Sequence, residues 1–441
     1  MRISIAADGR LPQCAAMFFS GNARGAMVAL AMAMVPALGG EVGPTVTGPV
    51  PASGGDWSPV LSLSLDSYYD SNVYIYEFGD IAGQDSMVTQ IEPEMGVRWK
   101  DEDTEPSTFL FSYHPRFTWF HSEPSEDHII HSVDCRQEGH SGIFSWEIDG
   151  RMAYTDGDRL GLVFLGPGGA PAIGGFQIRD RRENFWTKQL IRLRWDLGPV
   201  FVRPQYFGFI NDFMEIHQPI PGYCNYLDRE RFEGGIDVGL SLAPKLWLVG
   251  GYRGGIQKQD TTQWNPVHYS NDYQRAVAGL EGEPLPWLRL SFLIGPSFHR
   301  FNDSVAPYFS RNQDRVFVDA CVALKPTHLD TCTIKLGRYE EMVSSACGAY
   351  EDIQYRATWE HRFTDAVSAA ADFWVFRGEF ESPHLRDDTI YTPSLKVTWK
   401  INEHLAATAG YTYQWVESDL PATAGREYYR NEARIGLKTV F

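Results

Sequence analysis

Four cations crowd around one dipeptide. Lys188, Arg192 and Arg194 precede Gly198-Pro199, and Arg203 follows it. If Gly198 and Pro199 form a two-residue turn, Leu197 pairs with Val200 and Arg194 stands directly opposite Arg203. Like charges facing each other destabilise a hairpin, so something must compensate them. One compensator is a diffusing solute carrying carboxylate, sulfate or phosphate. The other is a fixed carboxylate, Glu233 or Asp237, on the neighbouring segment. Elsewhere His114, His121, His128, His131 and His140 cluster, and His121 and His128 flank six residues. Facing imidazoles would suit zinc or copper, but spacing fixes no carboxylate or thiol beside them, so no metal is expected. Nucleophile-elbow, phosphate-loop and HExxH motifs are absent from the sequence, so neither an enzyme nor a cofactor is expected. The net charge of −17 argues against a nucleic-acid partner, because phosphate binding needs a basic surface.

The segments that would position these residues alternate strictly. In 87–100, Met87, Thr89, Ile91, Pro93, Met95, Val97 and Trp99 oppose Gln90, Glu92, Glu94, Arg98 and Lys100. In 231–244, Phe232, Ile236, Val238, Leu240 and Leu242 oppose Glu233, Asp237 and Ser241. The same holds in 352–363 and again in 433–441. Period two with opposed chemistry describes a strand between two different environments. These runs of about 11–15 residues exceed the roughly 5–6 usual in globular sheets and suit tilted strands crossing a bilayer. A soluble sandwich with one wet face is the alternative.

Short turn signals occur at 101–106, 139–142, 198–199, 243–244, 283–286, 326–330, 364–366 and 402–404. Longer polar stretches rich in Pro and Gly lie between them, as at 70–86, 157–182 and 211–229. Short turns on one side and long loops on the other organise an up-and-down antiparallel barrel in an outer membrane. Eight short turns imply 18 strands; poor alternation over 128–156 leaves 16 as the alternative count. Trp99, Trp146, Trp195, Trp247, Trp287, Trp359 and Trp399 each fall near a different short turn. Indoles prefer the headgroup boundary, so these read as an interfacial girdle.

Outward charges at mid-bilayer cost roughly 2–4 kcal/mol for Arg or Lys, so the polar parity must face a lumen. That parity carries Glu92, Glu94, Arg98, Arg116, Lys188, Arg192, Arg194, Arg203, Glu233, Asp237, Arg356, Glu360, Arg362, Lys396, Arg434 and Lys438. Eighteen strands should enclose more space than side chains fill, leaving an aqueous passage. The stretch from Leu160 to Phe176 carries no charge; packed inside, it would constrict that passage.

At the N-terminus, Arg2, Arg10 and Arg24 flank a short apolar run ending in small residues, which reads as a signal peptide over 1–40. Losing residues 1–39 removes three Arg and one Asp, taking the net charge from −17 to −19. Residues 41–56 read as a flexible tail and 57–441 as the barrel. Of the remaining cysteines, Cys321 falls on the inward parity and Cys332 on the outward one, so they should not bridge. Cys135 lies within the poorly alternating stretch, and Cys224 and Cys347 fall in loops.

The C-terminal Lys438-Thr439-Val440-Phe441 resembles the ending of Gram-negative outer-membrane β-barrels. The likeness implies that Phe441 belongs to the signal read by the barrel-assembly machinery, with outer-membrane lipid as solvent. More narrowly, SLDSYYDSNVY (64–74) resembles the β-barrel porin families that accompany exopolysaccharide gene clusters. That resemblance implies a porin-like channel for small polar solutes, or a component of polysaccharide secretion. A plugged structural or adhesive barrel is the third expectation.

Overall fold

A computed structural model describes residues 55–75, 83–101, 106–157, 183–214, 227–261, 267–342, 348–381, 385–419 and 427–441. The signal-peptide reading, nearly all of the tail, the uncharged stretch Leu160–Phe176, Cys224 and Cys347 lie outside them.

Eighteen strands form one antiparallel sheet closed on itself. They are β1 (Asp56–Asp70), β2 (Ser86–Asp101), β3 (Ser107–Phe120), β4 (His128–Ser141), β5 (Phe144–Asp156) and β6 (Asn184–Leu197). There follow β7 (Val200–Phe213), β8 (Arg229–Ala243), β9 (Leu246–Gln259), β10 (Asn271–Leu285), β11 (Leu288–Phe301) and β12 (Asn312–Leu324). The last six are β13 (Asp330–Met342), β14 (Ala349–Arg362), β15 (Val367–Phe380), β16 (Arg386–Lys400), β17 (Leu405–Ser418) and β18 (Tyr429–Val440). Each pairs with its sequence neighbours, and β1 closes the ring on β18 with Leu65 opposite Leu437. Closure removes the sheet edges, so the strands' backbone groups are satisfied without water, as a bilayer demands. The count of 18 settles the 16-strand alternative.

Eight connections at one end span only two to five residues. The Leu197–Val200 pair closes the Gly198-Pro199 turn as expected, with Gly198 at a φ of 76° that only glycine takes freely. Turns read at 139–142, 243–244 and 283–286 fall one or two residues early; the strands end at Ser141, Ala243 and Leu285. In the Pro244-Lys245 turn the left-handed position (φ 61°) is filled by Lys245.

Poor alternation over 128–156 has a specific cause. On β4 the outer face carries His131, locked to the Tyr113 hydroxyl at 2.7 Å and stacked between Tyr113 and Tyr154. The inner face carries Ile130, so both parities mix polar and apolar residues while the ladder remains regular. The outer surface otherwise matches the expected apolar band: Leu61, Leu63, Leu65, Met95, Val97, Ile236, Val238 and Leu240 are all exposed. That is the inverse of a soluble fold.

Candidate functional site

The inner face of β6 to β10 builds the site. Register continues from Arg192 opposite Gln205 and from Trp195 opposite Val202, which sets Arg194 against Arg203 on the lumen side. Neither cation is left bare. Arg203 Nη2 lies 3.0 Å from Asp237 Oδ2 and its Nη1 lies 2.8 Å from Glu281 Oε1. Arg194 pairs with Asp196 at 2.6 Å on its own strand and lies over the Phe201 ring. Arg192 reaches Glu147 across the β5–β6 ladder at 3.2 Å. Asp237 is wholly buried and also accepts from Gln205 at 3.1 Å. It lies flat against Gly251, where a Cβ would collide with its carboxylate.

Glu233, two steps along the same face, is a second hub. It accepts from Tyr273 at 2.8 Å and pairs with Arg275 Nη1 at 3.0 Å and Arg231 at 3.4 Å. Arg275 is buried against the Phe317 ring at 3.9 Å. Such charges persist at low exposure because each is both paired and hydrogen-bonded. The sequence reading does not single out Arg229, Arg231, Arg253 or Arg275. Parity along β8 to β10 places them inward, and that signal was readable.

A cavity of about 470 Å³ remains between this wall and the tops of β13 and β14. Its lining includes six cations (Lys188, Arg192, Arg229, Arg231, Arg253, Arg275) and four carboxylates (Glu233, Asp319, Glu341, Asp352). Phe207, Phe209, Tyr339 and Tyr350 supply aromatic faces. Lys188 makes no hydrogen bond or ion pair among the described residues, and its ammonium lies 5.8 Å from the Phe207 ring.

The other lumen candidates lie on the inner face but are dispersed. Glu92 binds Arg116 at 2.7 Å and stands 3.6 Å from His114, which in turn pairs with Asp134 at 2.7 Å. Glu94 accepts from Ser62 and lies 3.9 Å from Lys438. Arg434 donates to Gln90 and covers the Tyr68 ring, and Arg356 pairs with Asp372 at 2.8 Å. Arg98, Glu360, Arg362 and Lys396 sit on the same face towards the short-turn end.

Two expectations need correction. Trp247 faces the lumen, opposite Glu281, and packs in an inner apolar cluster of Phe201, Val249, Val277, Leu293 and Phe317. Its closeness to a turn said nothing about its face. Trp99, Trp195, Trp359 and Trp399 lie on the outer face near that end, and Trp287 lies in its turn. Second, the lumen is not a plain aqueous bore. That cluster fills one side, and Ile75 from the β1–β2 connection packs with Phe380, Ile390, Val416 and Tyr428 at the long-loop end. The histidines do not converge among the described residues. His121 bonds Thr89 and His128 the Glu126 carbonyl, while His131 faces outward. Cys321 and Cys332 are free and lie on opposite faces.

A closed 18-strand cylinder, apolar outside and charged inside, defines a transmembrane β-barrel of the outer-membrane type. Residues 312–441, from β12 to the C-terminus, match the family model described as "Putative beta-barrel porin 2". No curated protein matches the chain. Among solved structures it is similar to the outer membrane protein OpdK from Pseudomonas aeruginosa, with 9% identity and a TM-score of 0.42. That match covers 87% of this chain and 99% of the other. It is also similar to an anion-selective porin from Comamonas acidovorans, at 10% identity and TM-score 0.39, covering 88% and 100%.

Proposed function

We propose that the barrel is a passive diffusion channel for small hydrophilic solutes and that its charged cavity favours anions. The observation that carries this reading is the lining of the central cavity: six cations against four carboxylates, in a chain whose net charge is −17. A local excess of positive charge between low-dielectric walls concentrates counter-charged solutes. Lys188 is its accessible cation, since Arg192, Arg231 and Arg275 are held by fixed carboxylates and Arg229 donates to the Met342 carbonyl. Arginine pairs would then shape the passage, and Lys188 would meet the solute.

Planar-bilayer recording under a salt gradient tests this. Steady conductance with a reversal potential on the anion side is expected, and Lys188→Gln should move that potential towards zero. A cation-side potential, or one unmoved by the substitution, would remove the anion assignment. A plugged barrel is the second reading, favoured by the apolar packing around Ile75 and around Phe309 at the long-loop end. Electrical silence would support it. Block of the current by acidic oligosaccharides would add polysaccharide to the solutes handled.

A further inference from the structure

Neighbouring strands pair along most of their length, and β12–β13 holds the fewest pairs. The β11–β12 and β13–β14 ladders each hold 13 residue pairs, but β12–β13 holds seven, from Leu324–Cys332 up to Val318–Arg338. Above that point Asn312–Phe317 and Tyr339–Met342 do not pair with each other. The free end of β13 instead bonds across the lumen. Gln257 of β9 donates to the Glu340 carbonyl at 3.0 Å, Arg229 of β8 donates to the Met342 carbonyl at 3.1 Å, and Arg231 pairs with Glu341 at 2.5 Å. Ala349, at the start of β14, packs among Tyr269 just before β10, Phe301 at the end of β11 and Phe309 of the β11–β12 connection. The tops of β13 and β14 are therefore folded inward, and they form one side of the central cavity through Tyr339, Glu341, Tyr350 and Asp352.

The seam left behind is stopped by one side chain. Arg315 of β12 points into the gap, 3.1 Å from Glu340 and also bonded to Glu381. Glu340 is buried there with its Oε1 unbonded among the described residues, although its parity would place it on the outer face. Continuing the ladder upward would set Val316 opposite Glu340 and Asp314 opposite Met342. It would also return Glu340 to the row of outward charges formed by Glu351, Glu379 and Asp387. The inward arrangement thus spends ladder bonds and leaves a carboxylate oxygen unmatched, while gaining three cross-lumen contacts. Two packings of one hairpin, each with its own bonds, make a bistable element.

We propose that the upper ends of β13 and β14 are a gate: folded inward they narrow the lumen, and zipped onto β12 they widen it. The conductance part of this rests on the channel reading above; the movement itself does not. The test uses the full-length barrel with its native cysteines replaced by serine. Val316→Cys with Glu340→Cys occupies register partners that meet only in the zipped state, and Ala320→Cys with Leu336→Cys serves as a control pair already zipped. On oxidation both pairs should cross-link, seen by thiol counting. Closing the 316–340 bond should raise unitary conductance, reductant should reverse it, and Glu341→Gln should speed cross-linking by releasing Arg231. If the control pair bonds and 316–340 does not, the gate is wrong. If 316–340 bonds with unchanged conductance, the strands move but do not gate. An unmodified barrel that conducts nothing would fault the channel reading, while the cross-link still reports the movement.

Discussion

Arg194 and Arg203 show how far a pair of residues can be reasoned about in isolation. Their opposition follows from one turn, and the need for compensation follows from Coulomb repulsion alone. Asp237 is the group that answers it for Arg203, and Asp196 answers it for Arg194. Asp237→Asn should therefore act twice. Stability should fall by about 3 kcal/mol, because Arg203 and Arg253 lose a buried partner; the temperature at which folded protein loses its characteristic gel migration reports this. Anion preference should rise, read as a reversal-potential shift. Replacing both Arg194 and Arg203 with Gln should do the opposite, since Asp196, Asp237 and Glu281 would then be in excess. An unchanged potential in the double variant would mean that these charges cancel locally and contribute no field to the passage.

Turns and strand ends obey a different logic, that of backbone conformation and loop burial. Lys245 sits at φ 61°, where a side chain costs about 1 kcal/mol that glycine avoids, so Lys245→Gly should raise the unfolding temperature. Gly198→Val should lower stability by about 1–2 kcal/mol at φ 76°. At the long-loop end, Asp228 holds the Phe213 amide at 2.8 Å just before β8. Burial first, helped by the Asp212 and Asp260 charges and opposed by that hydrogen bond, pushes its carboxyl up to about 7. A carboxyl raised on folding stabilises the fold while protonated. The benefit is complete below its unfolded value near 4 and is lost as pH rises through about 7. Hydrogen exchange at Phe213 should accordingly quicken between those values, and Asp228→Asn should flatten the dependence.

Across the whole molecule, the closure of β1 on β18 joins the two ends of the barrel. Phe441 donates its backbone N–H to Leu61 at 3.0 Å and leaves its ring exposed on the outside. Buried contacts do not explain that ring, whereas recognition during assembly would. Removing Phe441 should reduce the yield of folded, heat-modifiable barrel in the membrane far more than it lowers the stability of barrels that do assemble; comparing the two quantities checks this. Closure also explains why the lumen departs from an open bore. The β13 and β14 tops cross towards β8 and β9, and Ile75 reaches β16, over separations that no local pattern encodes.

Strand parity, strand length and turn chemistry are properties of neighbouring residues. The number of strands, the apolar outer band and the Leu197–Val200 turn were therefore legible in the chain itself. Mixed faces such as that of β4 blurred this reading, because His131 is satisfied by partners on β3 and β5 that its own strand does not reveal. Proximity to a turn likewise placed Trp247 at one end without saying which face it takes. Which inward residues meet, which of them stay unpaired, and where a strand leaves its neighbour were decided only when the sheet closed. Those outcomes depend on distances between strands far apart in sequence, and on the competition between ladder bonds and contacts across the lumen.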